Sequence, residues 1–166
     1  MVKKIAKEIL IASLALFIIT NIISYIRKPD LERTTTLPSH LKSINNKIID
    51  TKSFDGEPYM LHFWATWCPT CKFELSNIDI ISKDYRVVSI AVDSGSDEVI
   101  REFMKRRGMS FDVVNDKESI LSNRFKVEGL PTTFIFNSKG EIIFSEVGYS
   151  STAGLIARLK WAGRDE

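Results

Sequence analysis

Cysteine and histidine are scarce in this chain, which has two of each among its 166 residues. Two cysteines are too few for a disulfide-dense mini-protein or a four-thiolate zinc site. A large excess of charge is also lacking, because the formal net charge is only +2, so charge gives no reason to expect nucleic-acid binding. Hydrophobic residues make up 44%, which excludes disorder along the whole chain. This length allows one domain with an appendage.

An uncharged apolar run over residues 9–26 follows three lysines near the N-terminus. As a helix the run rises roughly 27 Å, at ~1.5 Å per residue, which is about the thickness of one hydrocarbon core. It ends at Arg27 and Lys28 without a small-residue cleavage site. We therefore predict an uncleaved transmembrane signal-anchor helix over residues 1–28 rather than a cleaved signal peptide. The charge bias is slight and favours a cytoplasmic N-terminus, with the rest of the chain outside.

Residues 29–40 contain two prolines and a threonine run, which is typical of a tether, and residues 41–166 form the predicted domain. Strand-like and helix-like patterns alternate through this domain, which indicates an α/β fold with a central mixed sheet covered by helices. The predicted strands are 47–50, 59–65, 87–92, 132–137 and 142–147. The predicted helices are 69–83, 96–107 (with Val99, Ile100, Phe103 and Met104 inward), 118–125 and one capped by Ser151 or Thr152 that ends near 162.

Both cysteines lie in one segment, Trp67-Cys68-Pro69-Thr70-Cys71, between a buried strand and a helix. A thiol at a helix N-terminus faces unpaired backbone N–H groups and the positive end of the helix dipole, which stabilise a thiolate. We therefore predict that Cys68 attacks and that Cys71, one turn further on, closes a disulfide with it.

Two other interpretations of the cysteine pair are weaker. Zinc would need two further ligands, and the only histidines are His40 in the tether and His62 in a buried strand, so we expect no metal. A purely structural disulfide would close too short a loop to constrain the unfolded chain much.

Two motifs then carry a resemblance to a known family. Residues 63–71, Phe-Trp-Ala-Thr-Trp-Cys-Pro-Thr-Cys, and residues 129–134, Gly-Leu-Pro-Thr-Thr-Phe, stand in the right order for the thioredoxin fold. The chain resembles membrane-anchored TlpA/ResA-like thiol–disulfide oxidoreductases over residues 41–162. The resemblance implies that Pro131 is the cis-proline opposite the cysteine pair, and that Leu130 offers its backbone to an extended substrate.

Further roles come from position relative to the cysteines. Trp67 is expected to cover Cys68 and contact substrate, whereas Trp64 is expected to pack in the core. Glu74 matches an acidic residue near the site in this group; it is either a proton-transfer group or an ordinary exposed helix carboxylate. His62 stands where thioredoxins have a buried aspartate, and it is either a core histidine or the proton acceptor for Cys71. Ser76 replaces a helix-kinking proline of thioredoxins, which puts the continuity of the helix in question.

The leading hypothesis is therefore a single-pass protein of the bacterial inner membrane that reduces protein disulfides in the periplasm. Its substrates include apocytochrome c or other periplasmic proteins, with no cofactor beyond the redox-active disulfide and no nucleic acid. A membrane electron donor of the DsbD or CcdA kind is expected to regenerate the dithiol. The alternative is a non-enzymatic adaptor or Cu(I)-binding module. A peroxidase is a third option, disfavoured because such enzymes typically place their reactive cysteine outside this type of motif.

Overall fold

A computed structural model describes residues 2–26, 29 and 31–164 of the chain. Its first element is a helix, α1, over Val2–Ile26. Within those described residues, no helix combines the length and the apolar character that crossing a membrane requires. Met1, Arg27 and Lys28 of the predicted signal-anchor lie outside the described residues. The anchor thus stays a prediction.

A five-stranded mixed sheet forms the centre of the domain, in the order β5-β4-β3-β6-β7. The central strand β3 pairs in parallel with β4 and antiparallel with β6. A separate antiparallel ribbon is made of β1 and β2. The strands are β1 (His40–Lys42), β2 (Ile48–Asp50), β3 (Tyr59–Trp64), β4 (Arg86–Val92), β5 (Val113–Asp116), β6 (Thr132–Phe136) and β7 (Ile142–Val147).

Three α-helices and one short 3₁₀ helix connect these strands, and a further α-helix follows β7. The 3₁₀ helix covers Thr51–Phe54. The α-helices are α2 (Pro69–Ile81), α3 (Asp97–Arg106), α4 (Ile120–Arg124) and α5 (Thr152–Ala162). Ser96 and Ser151 cap α3 and α5 by accepting hydrogen bonds from backbone N–H groups in the first turn.

Two hydrophobic clusters lie on opposite faces of β3, because successive side chains of a strand point to opposite sides. Met60 and Trp64 belong to the cluster that contains Cys71 of α2, together with side chains of α3 and α5. Leu61 and Phe63 belong to the other cluster, with side chains of the β1–β2 ribbon and α4. The central mixed sheet flanked by helices confirms the predicted α/β class.

The differences from the predicted elements are local. Strands β1 and β5 were not predicted, since each is short and without a clear alternation. The prediction that Val99 faces inward is wrong: its side chain is 49% exposed, whereas Ile100 is buried. Helix α2 runs without interruption through Ser76. In the segment predicted to be a tether, Leu37 is buried against the second cluster.

Candidate active site

Cys68 and Cys71 are joined by a disulfide at the N-terminus of α2, with their Cα atoms 5.3 Å apart. Cys68 is the N-cap residue and has an extended backbone, and Pro69 begins the helix. Proline suits this first position because its fixed φ is helical and its missing N–H has no intrahelical partner. The N–H of Cys71 points at Sγ of Cys68 over 3.1 Å. A negative charge on that sulfur would therefore be stabilised in the reduced state.

The two sulfurs differ in access. Cys71 is completely buried, whereas Cys68 keeps 4% of its surface and lines an open groove of about 570 Å³. Only the Cys68 side of the disulfide thus faces a space that another molecule can enter.

The second motif lies against the first. Sγ of Cys68 is 3.7 Å from the carbonyl oxygen of Leu130, a residue 62 positions further along the chain. The Leu130–Pro131 peptide bond is cis, as predicted. Leu130 also lines the groove, and Pro131 is buried behind it. The backbone of Leu130 is therefore next to the sulfur that borders the groove.

The two tryptophans occupy different environments. Trp67 is 59% exposed, lines the groove, and donates a hydrogen bond from Nε1 to the carbonyl oxygen of Asp93 at 3.0 Å. Trp64 is fully buried and donates from Nε1 to the hydroxyl of Ser89 at 2.7 Å. Trp67 stands in a position to contact substrate, and Trp64 packs in the core.

Glu74 is a buried carboxyl group on α2, one turn after Cys71. Its Oε1 accepts a hydrogen bond from the backbone N–H of Ser150 at 3.0 Å. Oε2 has no hydrogen-bond partner among the described residues. Burial raises the pKa of Glu74 to about 8, although the hydrogen bond from Ser150 acts in the opposite direction. Glu74 is not an ordinary exposed helix carboxylate.

His62 is fully buried in the central strand, on the same face as Met60 and Trp64. Its Nδ1 is 2.9 Å from the hydroxyl oxygen of Thr133 on β6, and its Nε2 has no partner among the described residues. Burial lowers the pKa of His62 to about 3. The imidazole is therefore neutral near pH 7, and a proton placed on it would be costly.

Several residues of this region carry no signal in the sequence. Asn77 donates from Nδ2 to the carbonyl oxygen of Ser150 at 3.0 Å and to the hydroxyl oxygen of Tyr149 at 3.3 Å. Asp93 and Glu128 line the groove beside Cys68. Asn77 and Glu128 stand just outside the two motifs, and Asp93 lies in a segment without one, so only the fold shows that these residues belong to the site.

The sequence model of the AhpC/TSA family matches residues 32–145, which is more than half of the chain. The chain belongs to the AhpC/TSA family. The match includes both cysteines and the segment from Gly129 to Phe134.

Individual relatives agree with this assignment. A thioredoxin-like protein of Haemophilus influenzae is 29% identical over 163 residues, which cover 97% of this chain and 96% of the relative. The thiol–disulfide oxidoreductase ResA of Bacillus subtilis is 33% identical over 107 residues, covering 62% of this chain and 60% of ResA. The chain thus matches about three fifths of ResA.

Solved structures show the same fold. The crystal structure of StoA from Bacillus subtilis superposes with a TM-score of 0.61 at 27% identity, covering 76% of this chain and all of StoA. A thioredoxin-family thiol:disulfide interchange protein from Chlorobium tepidum gives a TM-score of 0.68 at 26% identity, covering 78% of this chain and 97% of the other. The domain has the thioredoxin fold, and family, fold and cysteine pair together support a thiol–disulfide oxidoreductase of the ResA/StoA type.

Proposed function

We propose that this protein reduces disulfides in other proteins outside the cytoplasm, through the Cys68–Cys71 couple. The observation that carries the proposal is the asymmetry of the pair. The sulfur of Cys68 borders an open groove at the start of α2, and the sulfur of Cys71 is buried behind it. This arrangement suits one cysteine that meets substrate and a second that ends the reaction.

In the first step, the thiolate of Cys68 attacks one sulfur of the substrate disulfide. The substrate S–S bond breaks, a new bond forms between Cys68 and that sulfur, and the other substrate sulfur leaves as a thiolate that takes up a proton. The position of Cys68 at the N-cap and the nearby N–H of Cys71 support a stabilised attacking thiolate.

In the second step, the thiolate of Cys71 attacks Cys68, and the bond to the substrate breaks. The second substrate sulfur leaves as a thiolate and takes up a proton, so the substrate leaves with two thiols. The Cys68–Cys71 dithiol has supplied the two electrons and ends as the disulfide. Cys71 must lose a proton in a buried place, where thiolates are disfavoured. We assign acceptance of this proton to Glu74, because it is buried on α2 one helical turn after Cys71 and its carboxyl pKa of about 8 is close to that of a thiol. His62 is the weaker acceptor, because its pKa is about 3.

The electrons that reduce the substrate must be replaced. A membrane thiol donor of the DsbD or CcdA kind fits this need, because an extracytoplasmic space oxidises dithiols. Apocytochrome c and other periplasmic proteins are the substrates we propose. The basis for this location, and for attachment to the bacterial inner membrane with the domain in the periplasm, is the sequence: three lysines precede an apolar run.

Trapping of mixed disulfides tests the proposal. Cys71→Ser should accumulate partners bound covalently through Cys68, because the second step is blocked, whereas Cys68→Ser should accumulate few. Bands that are separated on non-reducing gels and released by dithiothreitol measure the difference. Equal trapping by the two variants would contradict the assigned roles. Stoichiometric Cu(I) binding that needs both cysteines, without turnover of any disulfide substrate, would support the adaptor alternative.

The direction of electron flow needs a separate measurement. A reductase requires a Cys68–Cys71 potential nearer to that of thioredoxin, about −270 mV, than to that of the oxidant DsbA, about −120 mV. Equilibration with a glutathione or dithiothreitol redox buffer gives this value. A potential near the oxidant end would replace reduction by oxidation as the function.

A further inference from the structure

The charge of the residues that line the groove beside Cys68 indicates which substrate disulfides can bind there. The groove runs between the first turn of α2, the end of β4 and the segment from α4 to the cis peptide bond. Its walls mix apolar, hydroxyl and amide groups with two carboxylates. The lining residues are Trp67, Cys68, Pro69, Thr70, Val92, Asp93, Ser119, Ser122, Asn123, Val127, Glu128, Gly129 and Leu130.

All of the charge on these walls is negative. Asp93 and Glu128 are the charged residues that line the groove, and both are exposed. No lysine or arginine belongs to the lining, and neither carboxylate forms a salt bridge within the part of the chain that the structure describes. Both negative charges are therefore available to a bound molecule.

The two carboxylates reach the groove from different segments of the chain. Asp93 follows β4, and its carbonyl oxygen accepts the hydrogen bond that fixes the indole of Trp67. Glu128 lies two residues before Leu130, whose carbonyl oxygen is 3.7 Å from Sγ of Cys68. A segment bonded to Cys68 thus enters a groove that is lined by an exposed indole and two carboxylates.

Residues next to the substrate cysteine can reach these walls. An extended segment advances ~3.3 Å per residue, so side chains one or two positions from the substrate cysteine lie over the groove. A cationic side chain there can pair with either carboxylate, and on one side it can also stack on the exposed face of Trp67. A carboxylate in the same place meets only like charge.

We propose that the groove selects disulfides flanked by a lysine or arginine, with Asp93 and Glu128 as the residues that determine this specificity. The inference rests on the proposed reduction of protein disulfides and adds the class of segment that is reduced. The charges act when substrate docks, before the sulfur exchange. The two carboxylates should therefore change kcat/KM and the dependence of kcat/KM on salt concentration.

The test uses the reduced full-length protein and three disulfide-bonded peptides of equal length that differ at one position beside the cysteine: arginine, glutamine or glutamate. We expect kcat/KM to fall in that order. Each carboxylate should contribute about two- to five-fold to the arginine-to-glutamate ratio, as exposed ion pairs typically do. Raising the ionic strength should bring the three values together.

Variants locate the effect. Asp93→Asn and Glu128→Gln should each lower the arginine-to-glutamate ratio, and the double variant should bring it close to one. Asp84→Asn is the matched control, since Asp84 is an exposed acid in the turn after α2 and does not line the groove. Its ratio should equal that of the wild type.

The outcomes separate the two proposals. If all three peptides turn over at equal rates, or if the double variant keeps the wild-type ratio, the charge selectivity is overturned while disulfide reduction stands. If none of the three peptides is reduced by the wild type, the proposed reduction is overturned, and the selectivity with it.

Discussion

Oε1 of Glu74 accepts a hydrogen bond from the backbone N–H of Ser150 at 3.0 Å, and this bond ties α2 to the turn before α5. The other carboxyl oxygen has no partner among the described residues. Burial raises the pKa of Glu74 to about 8, so that the carboxyl is mostly protonated at pH 7. It can accept a proton only in the fraction that is ionised, and that fraction grows through pH 8.

Replacing Glu74 by glutamine should therefore change the pH dependence of the second half-reaction. In the wild type we expect release of substrate from the mixed disulfide to accelerate up to about pH 8 and then level off. In Glu74→Gln the rate should fall about 10²-fold or more and lose this inflection, because a positioned proton acceptor typically contributes 10²–10⁴-fold. The amide oxygen of glutamine can still accept the hydrogen bond from Ser150. Stopped-flow measurements on a preformed mixed disulfide between pH 6 and pH 9 give the rates.

Glu102→Gln on α3 is the control for this experiment, because Glu102 is an exposed helical carboxylate, 68% accessible, away from the cysteines. It should leave both the rate and the inflection unchanged. A wild-type rate and profile in Glu74→Gln would remove Glu74 from the reaction and return the question to His62.

Two buried groups should also make the stability of the oxidised protein depend on pH in opposite directions. The folded state keeps the proton of Glu74 between pH 4.5 and about pH 8, where the unfolded chain loses it, so stability falls as pH rises through this range. The pKa of His62 falls from 6.5 to about 3 on folding, so the unfolded chain binds the extra proton and stability falls as pH drops through that range. We expect a maximum between about pH 4.5 and pH 6.5.

Urea unfolding at pH 4, 5.5 and 8 measures this profile. Each limb is limited to about 1.4 kcal/mol per pH unit for one group. The slopes of the two groups cancel between about pH 4.5 and pH 6.5, so the net loss is on the order of 2 kcal/mol between pH 6.5 and pH 8. Glu74→Gln should flatten the alkaline limb, and His62→Asn should flatten the acid limb. An alkaline limb that persists in Glu74→Gln would mean that other groups cause it.

Much of the fold follows from local patterns that tertiary contacts do not override. The nearly continuous apolar run over residues 59–65 predicts a central strand, and β3 is buried on both faces as expected. Pro69 and Ser151 mark the starts of α2 and α5 because each fits a position at a helix N-terminus that few other residues fit. The cysteine pair and the Leu130–Pro131 segment were paired through the resemblance, and the sheet brings them together.

The rest depends on contacts between distant segments. Strand β5 has four residues and acquires its identity from pairing with β4, so its own sequence shows little. The sequence explains Glu74 equally well as an exposed helix carboxylate and as a site residue. Its burial and its hydrogen bond with Ser150 become visible only in the folded structure. The negative charge of the groove comes from Asp93 and Glu128. These residues are 35 positions apart in the sequence, so the sequence alone does not show that they line one groove.

The two cysteines should react differently with alkylating agents once the disulfide is reduced. Cys68 lies at the N-cap with the N–H of Cys71 directed at its sulfur, so its pKa should be below the ordinary thiol value of about 8.5. Cys71 is completely buried and should react slowly. Iodoacetamide rates against pH in Cys71→Ser and Cys68→Ser isolate the two thiols. Faster modification of Cys71 at pH 7 would reverse the roles assigned to the pair.

The final prediction concerns Asn77, which lies three residues after Glu74 on α2. Both side chains form hydrogen bonds with Ser150, in the turn before α5. Nδ2 of Asn77 donates to the carbonyl oxygen of Ser150 at 3.0 Å and to the hydroxyl oxygen of Tyr149 at 3.3 Å. Asn77→Ala should loosen the turn, cost about 1 kcal/mol of unfolding free energy, and admit water to Glu74. Because burial is what raises the pKa of Glu74, that pKa should then fall.

Carbon NMR of the Glu74 carboxyl measures this pKa directly, without reference to activity. Ser76→Ala is the matched control, since Ser76 is the neighbouring exposed residue of α2, and it should leave the Glu74 pKa in place. A Glu74 pKa that stays near 8 in Asn77→Ala would show that the turn remains closed through the Glu74–Ser150 hydrogen bond alone. If the Glu74 pKa falls in Asn77→Ala but not in Ser76→Ala, the burial of the carboxyl depends on the hydrogen bonds that both Glu74 and Asn77 form with Ser150.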